Sequence, residues 1–150
     1  MADVVDPATR SRMMSGIRGK NTRPEMLVRR HLHARGFRYR LHVKTLPGKP
    51  DIVLPRYRAV ILIHGCFWHG HDCQLFKWPS TRQEFWCAKI GRNRKKDAET
   101  LVELEAIGWR VLSVWECAIK GRQRLSVEDL IERISSWIVS GSSQDVIRGG

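Results

Sequence analysis

The spacing of apolar residues changes repeatedly along the chain, and each change marks an element. Thr22-Arg23-Pro24-Glu25 reads as a helix start, with a capping hydroxyl, a proline for the first turn and an acid three residues after the cap. Leu27, Val28, His31 and Leu32 follow at helical spacing, and Gly36 is a stop. From Phe37 to Val43 apolar and basic residues alternate, the pattern of a half-buried strand with one basic face. Leu46-Pro47-Gly48-Lys49-Pro50 is a turn, Asp51 to Leu54 a short strand, and Pro55 to Arg58 a second turn. Ala59 to Ile63 is apolar without alternation and rich in β-branched residues, as expected of a central strand covered on both faces. A helical region begins at Thr81 or Arg82 and runs to Ile107, with a break expected at Gly91 and with Leu101, Leu104 and Ile107 on one face. Trp109 to Cys117 is another strand. Ser126-Val127-Glu128-Asp129 opens a last helix with Leu130, Ile131, Ile134, Trp137 and Ile138 inward. The predicted order is α-β-β-β-α-β-α, one α/β domain with helices on a central mixed sheet. Residues 1–20 read as a polar, basic arm or helix, 21–140 as the domain, and 141–150 as a flexible tail.

Charge narrows the class. Twenty-seven Lys and Arg against fifteen Asp and Glu leave a net charge of +12, which favours a polyanionic partner. A hydrophobic content of 42% argues against a disordered basic tail. No apolar run approaches the roughly 20 residues of a membrane span, and Met1 to Asp6 do not open a signal peptide. The expectation is a folded, cytoplasmic, nucleic-acid-facing protein with no membrane association.

The segment His64 to Pro79 is irregular and carries the densest chemistry. Cys66, His71 and Cys73 lie within eight residues, and zinc prefers such soft or borderline donors in a tetrahedron. One short loop rarely closes a tetrahedron, so Cys117, at the end of a strand of the same sheet, is the expected fourth ligand. Four protein ligands leave no open position, which makes the zinc structural. His69 is two residues from His71 and could exchange roles with it. Cys87, without ligand neighbours, reads as a helix-core thiol. Asp51 follows a Gly-Lys-Pro turn beside a strand ending Ile63-His64. One carboxylate and a main-chain carbonyl can hold Mg²⁺, which keeps most of its waters. His64 or His69 could serve as a base near neutral pH, and Glu25 is a cap acid that could also reach the site. Phe67, Trp68, Trp78, Phe85 and Trp86, with Arg82, Lys89, Arg92, Arg94, Lys95 and Lys96, give an aromatic and basic surface. Rigid aromatics of this kind can wedge between base steps, and the cations suit phosphates.

Together these residues form a recognisable set. Leu46-Pro47-Gly48-Lys49-Pro50-Asp51, the run His64-Gly65-Cys66-Phe67-Trp68-His69-Gly70-His71-Asp72-Cys73, Glu84-Phe85-Trp86 with Lys89-Ile90-Gly91, Gly108 to Leu112 and Trp115-Glu116-Cys117 closely resemble the very short patch repair endonucleases. Met1-Ala2-Asp3-Val4 and Ala8-Thr9-Arg10-Ser11 fit as well, so the resemblance covers about residues 1–140. It implies a restriction-endonuclease-like fold with a structural zinc site. It also implies a Mg²⁺-dependent enzyme that nicks one strand of duplex DNA beside the thymine of a T·G mismatch left by deamination of 5-methylcytosine.

Carried over, Asp51 and the carbonyl of Ile63 bind Mg²⁺, His69 is the general base, and His64 and Glu25 support it. Cys66, His71, Cys73 and Cys117 hold zinc. Phe67, Trp68 and Trp86 enter the duplex, Met14 reaches the opposite groove, and Lys89 and Asn93 contact DNA. The family's partners would be mismatch-repair proteins, a repair polymerase and a companion cytosine-5 methyltransferase, with the enzyme a monomer on the nucleoid. Ile63 stands where the family pattern has Thr, a change that is harmless if only the carbonyl binds metal and that slows the reaction if the Thr hydroxyl orders water. Two other functions fit the same features: a zinc-containing DNA-binding module without catalysis, or a nuclease of this fold with another DNA target.

Overall fold

The computed structural model describes residues 22–150, so the arm and Met14 lie outside the described residues. The elements are α1 (Arg23–Ala34), β1 (Arg40–Leu41), β2 (Ile52–Leu54), β3 (Ala59–His64), α2 (Gln83–Ala106), β4 (Arg110–Trp115), α3 (Val127–Ser140) and β5 (Gln144–Ile147). Short 3-10 turns follow β2 and β4. One sheet has the spatial order β1-β2-β3-β4-β5. Its first three strands are antiparallel and its last three parallel, so the sheet is mixed as expected.

Side chains alternate across the central strand and sort into two cores. Ala59 and Ile61 pack with Val28 and Leu32 of α1 and with Leu130, Ile131, Ile134 and Ile138 of α3. Val60 and Leu62 pack on the other face with Leu104 of α2. β3 is thus covered on both sides, which is why its sequence shows no polar alternation. Each large aliphatic side chain removed from water in this way stabilises the fold by about 1.5–3 kcal/mol. Both predicted caps form: Thr22 Oγ1 accepts from Glu25 N at 3.4 Å, and Ser126 Oγ accepts from Asp129 N at 3.1 Å. Arg110 closes the other end of α3, donating to the carbonyls of Trp137 and Ile138 while lying over the Trp137 ring.

Five expectations need correction. The strand predicted over residues 37–43 pairs only at Arg40–Leu41, because His42 takes a left-handed φ of 48° and turns the chain out of the ladder. Gly91 does not break α2; it faces open space, where a helical glycine costs only about 1 kcal/mol relative to alanine. Cys87 is exposed rather than in the helix core, and Ile107, expected on the inner face, is 49% exposed. The last ten residues, expected as a tail, contribute the fifth strand, with Val111 to Val114 of β4 opposite Gln144 to Ile147.

Candidate active site and metal centre

β2 begins only at Ile52, too late in the chain to pair with the end of the antiparallel β3, and this places Asp51. Ile52 lies opposite Ile61, so no strand backbone is left to meet the N–H of Ile63. The Asp51 carboxylate takes that position, Oδ2 accepting from Ile63 N at 2.8 Å. Burial pushes the Asp51 carboxyl up to about 6, against the opposing pull of the Ile63 N–H; the nearby Glu25 carboxylate raises it further. A carboxylate in that condition is short of positive charge, and a hard cation would supply it.

Asp51 opens onto a cleft of about 660 Å³ between the sheet and one face of α2, which also receives Ile63, His64 and His69. From α2 come Lys89, Asn93, Lys96, Asp97 and Thr100, a set at helical spacing. Lys44 and Lys49 line the opposite rim. His69 Nδ1 lies 2.5 Å from Asp97 Oδ2, which leaves Nε2 as the ring nitrogen for the cleft. The His64 ring is tilted against its neighbours, its centroid 4.5 Å from that of His69 and 4.8 Å from that of Trp115, and burial pushes its pKa down to about 4, so its ring is neutral near pH 7. Glu25, 1% exposed in the first turn of α1, pairs with Arg29 at 2.9 Å and His42 Nε2 at 2.8 Å. Its carboxylate, His42 and Asp51 have ligand atoms within 4.8 Å of one another. The start of α1 therefore abuts the cleft, and Glu25 is a cap-region acid and a site residue together.

The loop leaving β3 carries the second cluster. Donor atoms of Cys66, His71, Cys73 and Cys117 all lie within 4.8 Å of one another. His71 Nδ1 is 3.5 Å from Cys66 Sγ and 3.6 Å from Cys117 Sγ. A tetrahedral ion with Zn–S near 2.3 Å and Zn–N near 2.05 Å requires about 3.6 Å between such donors, so the residues fit zinc. The open exchange between His69 and His71 resolves geometrically: His71 faces the sulfurs and His69 faces Asp97. Burial pushes the thiols of Cys66 and Cys117 up, a bias that a bound divalent ion reverses. The Cys117 N–H donates to Cys66 Sγ at 3.3 Å, and Cys66 N–H donates to Glu116 Oε1 at 3.2 Å. Trp115 stacks flat on His71, with centroids 4.0 Å apart, and separates it from His64. Gly70 has φ 61°, and a Cβ there would stand 2.6 Å from Ile90 of α2, so this turn of the loop requires glycine.

Between the two clusters the loop presents its aromatics. Phe67 meets Trp68, Phe76 and Trp86 at centroid distances of 5.2 to 5.9 Å, and the cluster continues to the exposed Trp78 and Phe85. Asn93 Nδ2 donates to the Trp68 carbonyl at 2.7 Å, so this residue holds the aromatic loop on α2. Sequence reasoning missed Asp97, Trp115 and Phe76. For Asp97 a signal existed, since it follows Lys89 and Asn93 on the same helix face at intervals of four.

Comparison with known proteins identifies the family. The profile of the family described as DNA mismatch endonuclease Vsr matches residues 2–75. The DNA mismatch endonuclease Vsr of Escherichia coli K12 is 49% identical over 92% of this chain and 88% of its own length. The chain belongs to the Vsr DNA mismatch endonuclease family. A type II nicking enzyme of Xanthomonas oryzae, V.XorIIP, is also 49% identical, over 79% of this chain and 88% of its own. One of Neisseria meningitidis, V.NmeAIP, is 46% identical over 81% of this chain and 87% of its own. Among the described residues no helix is long and apolar enough to cross a membrane.

Proposed function

We propose that this Vsr-family chain is a Mg²⁺-dependent endonuclease that nicks one strand of duplex DNA beside the thymine of a T·G mismatch and so initiates very short patch repair. The observation that carries this reading is the convergence of Asp51 and the His69–Asp97 pair in one lysine-lined cleft. Asp51 and the Ile63 carbonyl would hold the divalent ion, and their oxygen donors favour Mg²⁺. When bound, such an ion supplies positive charge at the scissile phosphate, worth several kcal/mol in the transition state.

The chain's own groups do the rest. His69 Nε2 takes the proton of the attacking water, while Asp97 fixes the tautomer and steadies the imidazolium that results. His64, neutral and buried, packs the His69 ring in place. Glu25 shares the cleft's end with Asp51 and His42. Lys89 and Lys96 face the backbone phosphates.

Phe67, Trp68 and Trp86 unstack the duplex, which costs least where pairing is weak. Asn93, assigned to DNA contact by the resemblance, also ties that wedge to the helix bearing Asp97. Cys66, His71, Cys73 and Cys117 hold a structural zinc that fixes the loop carrying both Phe67-Trp68 and His69. Mismatch-repair proteins, a repair polymerase and a companion cytosine-5 methyltransferase belong to the same reading as functional partners.

The test is cleavage of end-labelled T·G and matched duplexes with Mg²⁺, wild type against Asp51→Ala, with the cut mapped to the nucleotide. Nicking beside the mismatched thymine, lost in the variant, is the expected result. Equal cutting of matched DNA overturns the mismatch assignment, and wild-type rates from Asp51→Ala overturn the site.

A further inference from the structure

The described C-terminal residues run into the zinc centre. β5 lies parallel to β4, with Ile147 opposite Val114, and this register carries the next residues past Cys117. Gly149 N–H donates to Cys117 Sγ at 3.3 Å, and Gly150 N–H donates to the Gln123 carbonyl at 2.8 Å. Arg148 grips Asp72, which sits between ligands His71 and Cys73: Nη1 meets Oδ1 at 2.8 Å and Nη2 meets the main-chain carbonyl at 2.9 Å. The fit at residue 149 admits no side chain. A Cβ there would stand 2.3 Å from the Cys117 carbonyl oxygen and 2.7 Å from that of Gln123.

We propose that Arg148 and Gly149 are positioning residues of the metal centre, a clasp by which the final strand holds the ligand loop closed and stabilises its thiolates. This rests on the zinc reading of the Cys66, His71, Cys73 and Cys117 cluster. Three thiolates and a neutral imidazole around a divalent ion carry a net charge of −1, and hydrogen bonds to sulfur lower the energy of that charge. Cys66 receives one from Cys117 N–H, and Cys117 receives its own from Gly149. The Arg148 guanidinium adds a positive charge beside the loop. Its pair with Asp72 is exposed, where such pairs contribute little, so the main-chain contact at Gly149 carries more of the effect. The clasp also links the far edge of the sheet to the loop that bears Phe67, Trp68 and His69.

The test uses the purified chain of residues 1–150, with zinc counted per chain by mass spectrometry and its release timed in excess chromogenic chelator. The variants are a chain ending at Ile147, Gly149→Ala and Arg148→Ala. Release is expected to quicken by about 10-fold or more on truncation or in Gly149→Ala, and by about 2-fold in Arg148→Ala. Substituted with Co²⁺, the truncated and Gly149→Ala proteins should show a shifted sulfur-to-cobalt absorption band, which a purely structural role for the segment would leave in place. Should the truncated chain fail to fold, the two point variants decide. Unchanged release and an unchanged band in a zinc-containing protein overturn the clasp alone; a wild type that carries no zinc overturns the zinc reading and the clasp with it.

Discussion

The loop from His64 to Cys73 serves two clusters that share its backbone and almost none of their chemistry. On one side, three sulfurs and a ring nitrogen are drawn together among buried residues, with N–H groups on Cys66 and Cys117 and a tryptophan flat against the histidine. On the other, a single carboxylate and a His–Asp pair line an open cleft ringed by lysines. The first arrangement is closed, soft and suited to permanent occupancy. The second is hard, accessible and incomplete without a ligand. Permanence on one side is what allows exposure on the other, because a loop clamped at residues 66, 71 and 73 can hold Phe67, Trp68 and His69 in position without a core around them.

The sharpest way to test that division is to remove one side at a time. Asp51→Ala takes away the carboxylate and should reduce nicking of a T·G duplex by at least about 10³-fold, the several kcal/mol that a divalent ion supplies at a phosphate. Zinc content, melting temperature and DNA affinity should stay near wild type, as measured by mass spectrometry, thermal unfolding and a binding titration. His69→Ala should cost about 10²- to 10³-fold in single-turnover nicking. Asp97→Asn should cost less, about 10- to 100-fold, and adding it to His69→Ala should cost almost nothing more, because Asp97 acts through the ring it orients.

Cys117→Ser attacks the opposite side. Zinc should fall toward zero and the melting temperature should drop, since binding of a structural metal is part of the folding free energy. Nicking should decline by about 10²-fold as the wedge and His69 lose their frame, and raising Mg²⁺ should not restore it. If Cys117→Ser kept full activity after losing its zinc, the two clusters would be independent and the comparison would fail.

How much of this was legible in the sequence follows the same division. The Cys–His cluster announces itself because Cys and His are rare and the loop packs three of them within eight residues; Cys117 follows from the sheet. β3, the two capped helix starts and the inner face of α3 were equally readable, each written in a repeating apolar pattern. Asp97 was not, since it is one of many charged residues on a long helix and only its spacing from Lys89 and Asn93 marks it. β5 was hidden because three of its four residues are exposed and Ile147 alone is buried, which leaves no alternation to read. The shortened β1 was hidden because a left-handed histidine can end a strand without any glycine to signal it.

Smaller effects test the seam between the clusters. Asn93→Ala removes the hydrogen bond that ties the Trp68 carbonyl to α2. Loss of one such bond costs about 1 kcal/mol, so nicking should fall about 5- to 10-fold. The loss should be greater on T·G than on a duplex already opened at the cut site, because the wedge then has less to do. Equal losses on both substrates would move Asn93 from the wedge to phosphate contact.

The smallest expected effect is at position 63, where the side chain and the backbone face different tasks. The Ile63 N–H donates to Asp51, and its side chain packs against the core shared by α1 and α3, away from the lysine-lined helix. If the main chain is all that the hydrolytic cleft requires of this residue, Ile63→Thr should leave nicking within about 2-fold of wild type. It should lower stability by about 1 kcal/mol through lost apolar contact. Stability is read from thermal unfolding and rate from single-turnover nicking at saturating Mg²⁺. A rate change of 10-fold or more in either direction would mean that the side chain, through the added hydroxyl or the lost bulk, reaches the ion or its water. The assignment of a main-chain carbonyl as the second oxygen donor beside Asp51 would then have to be given up.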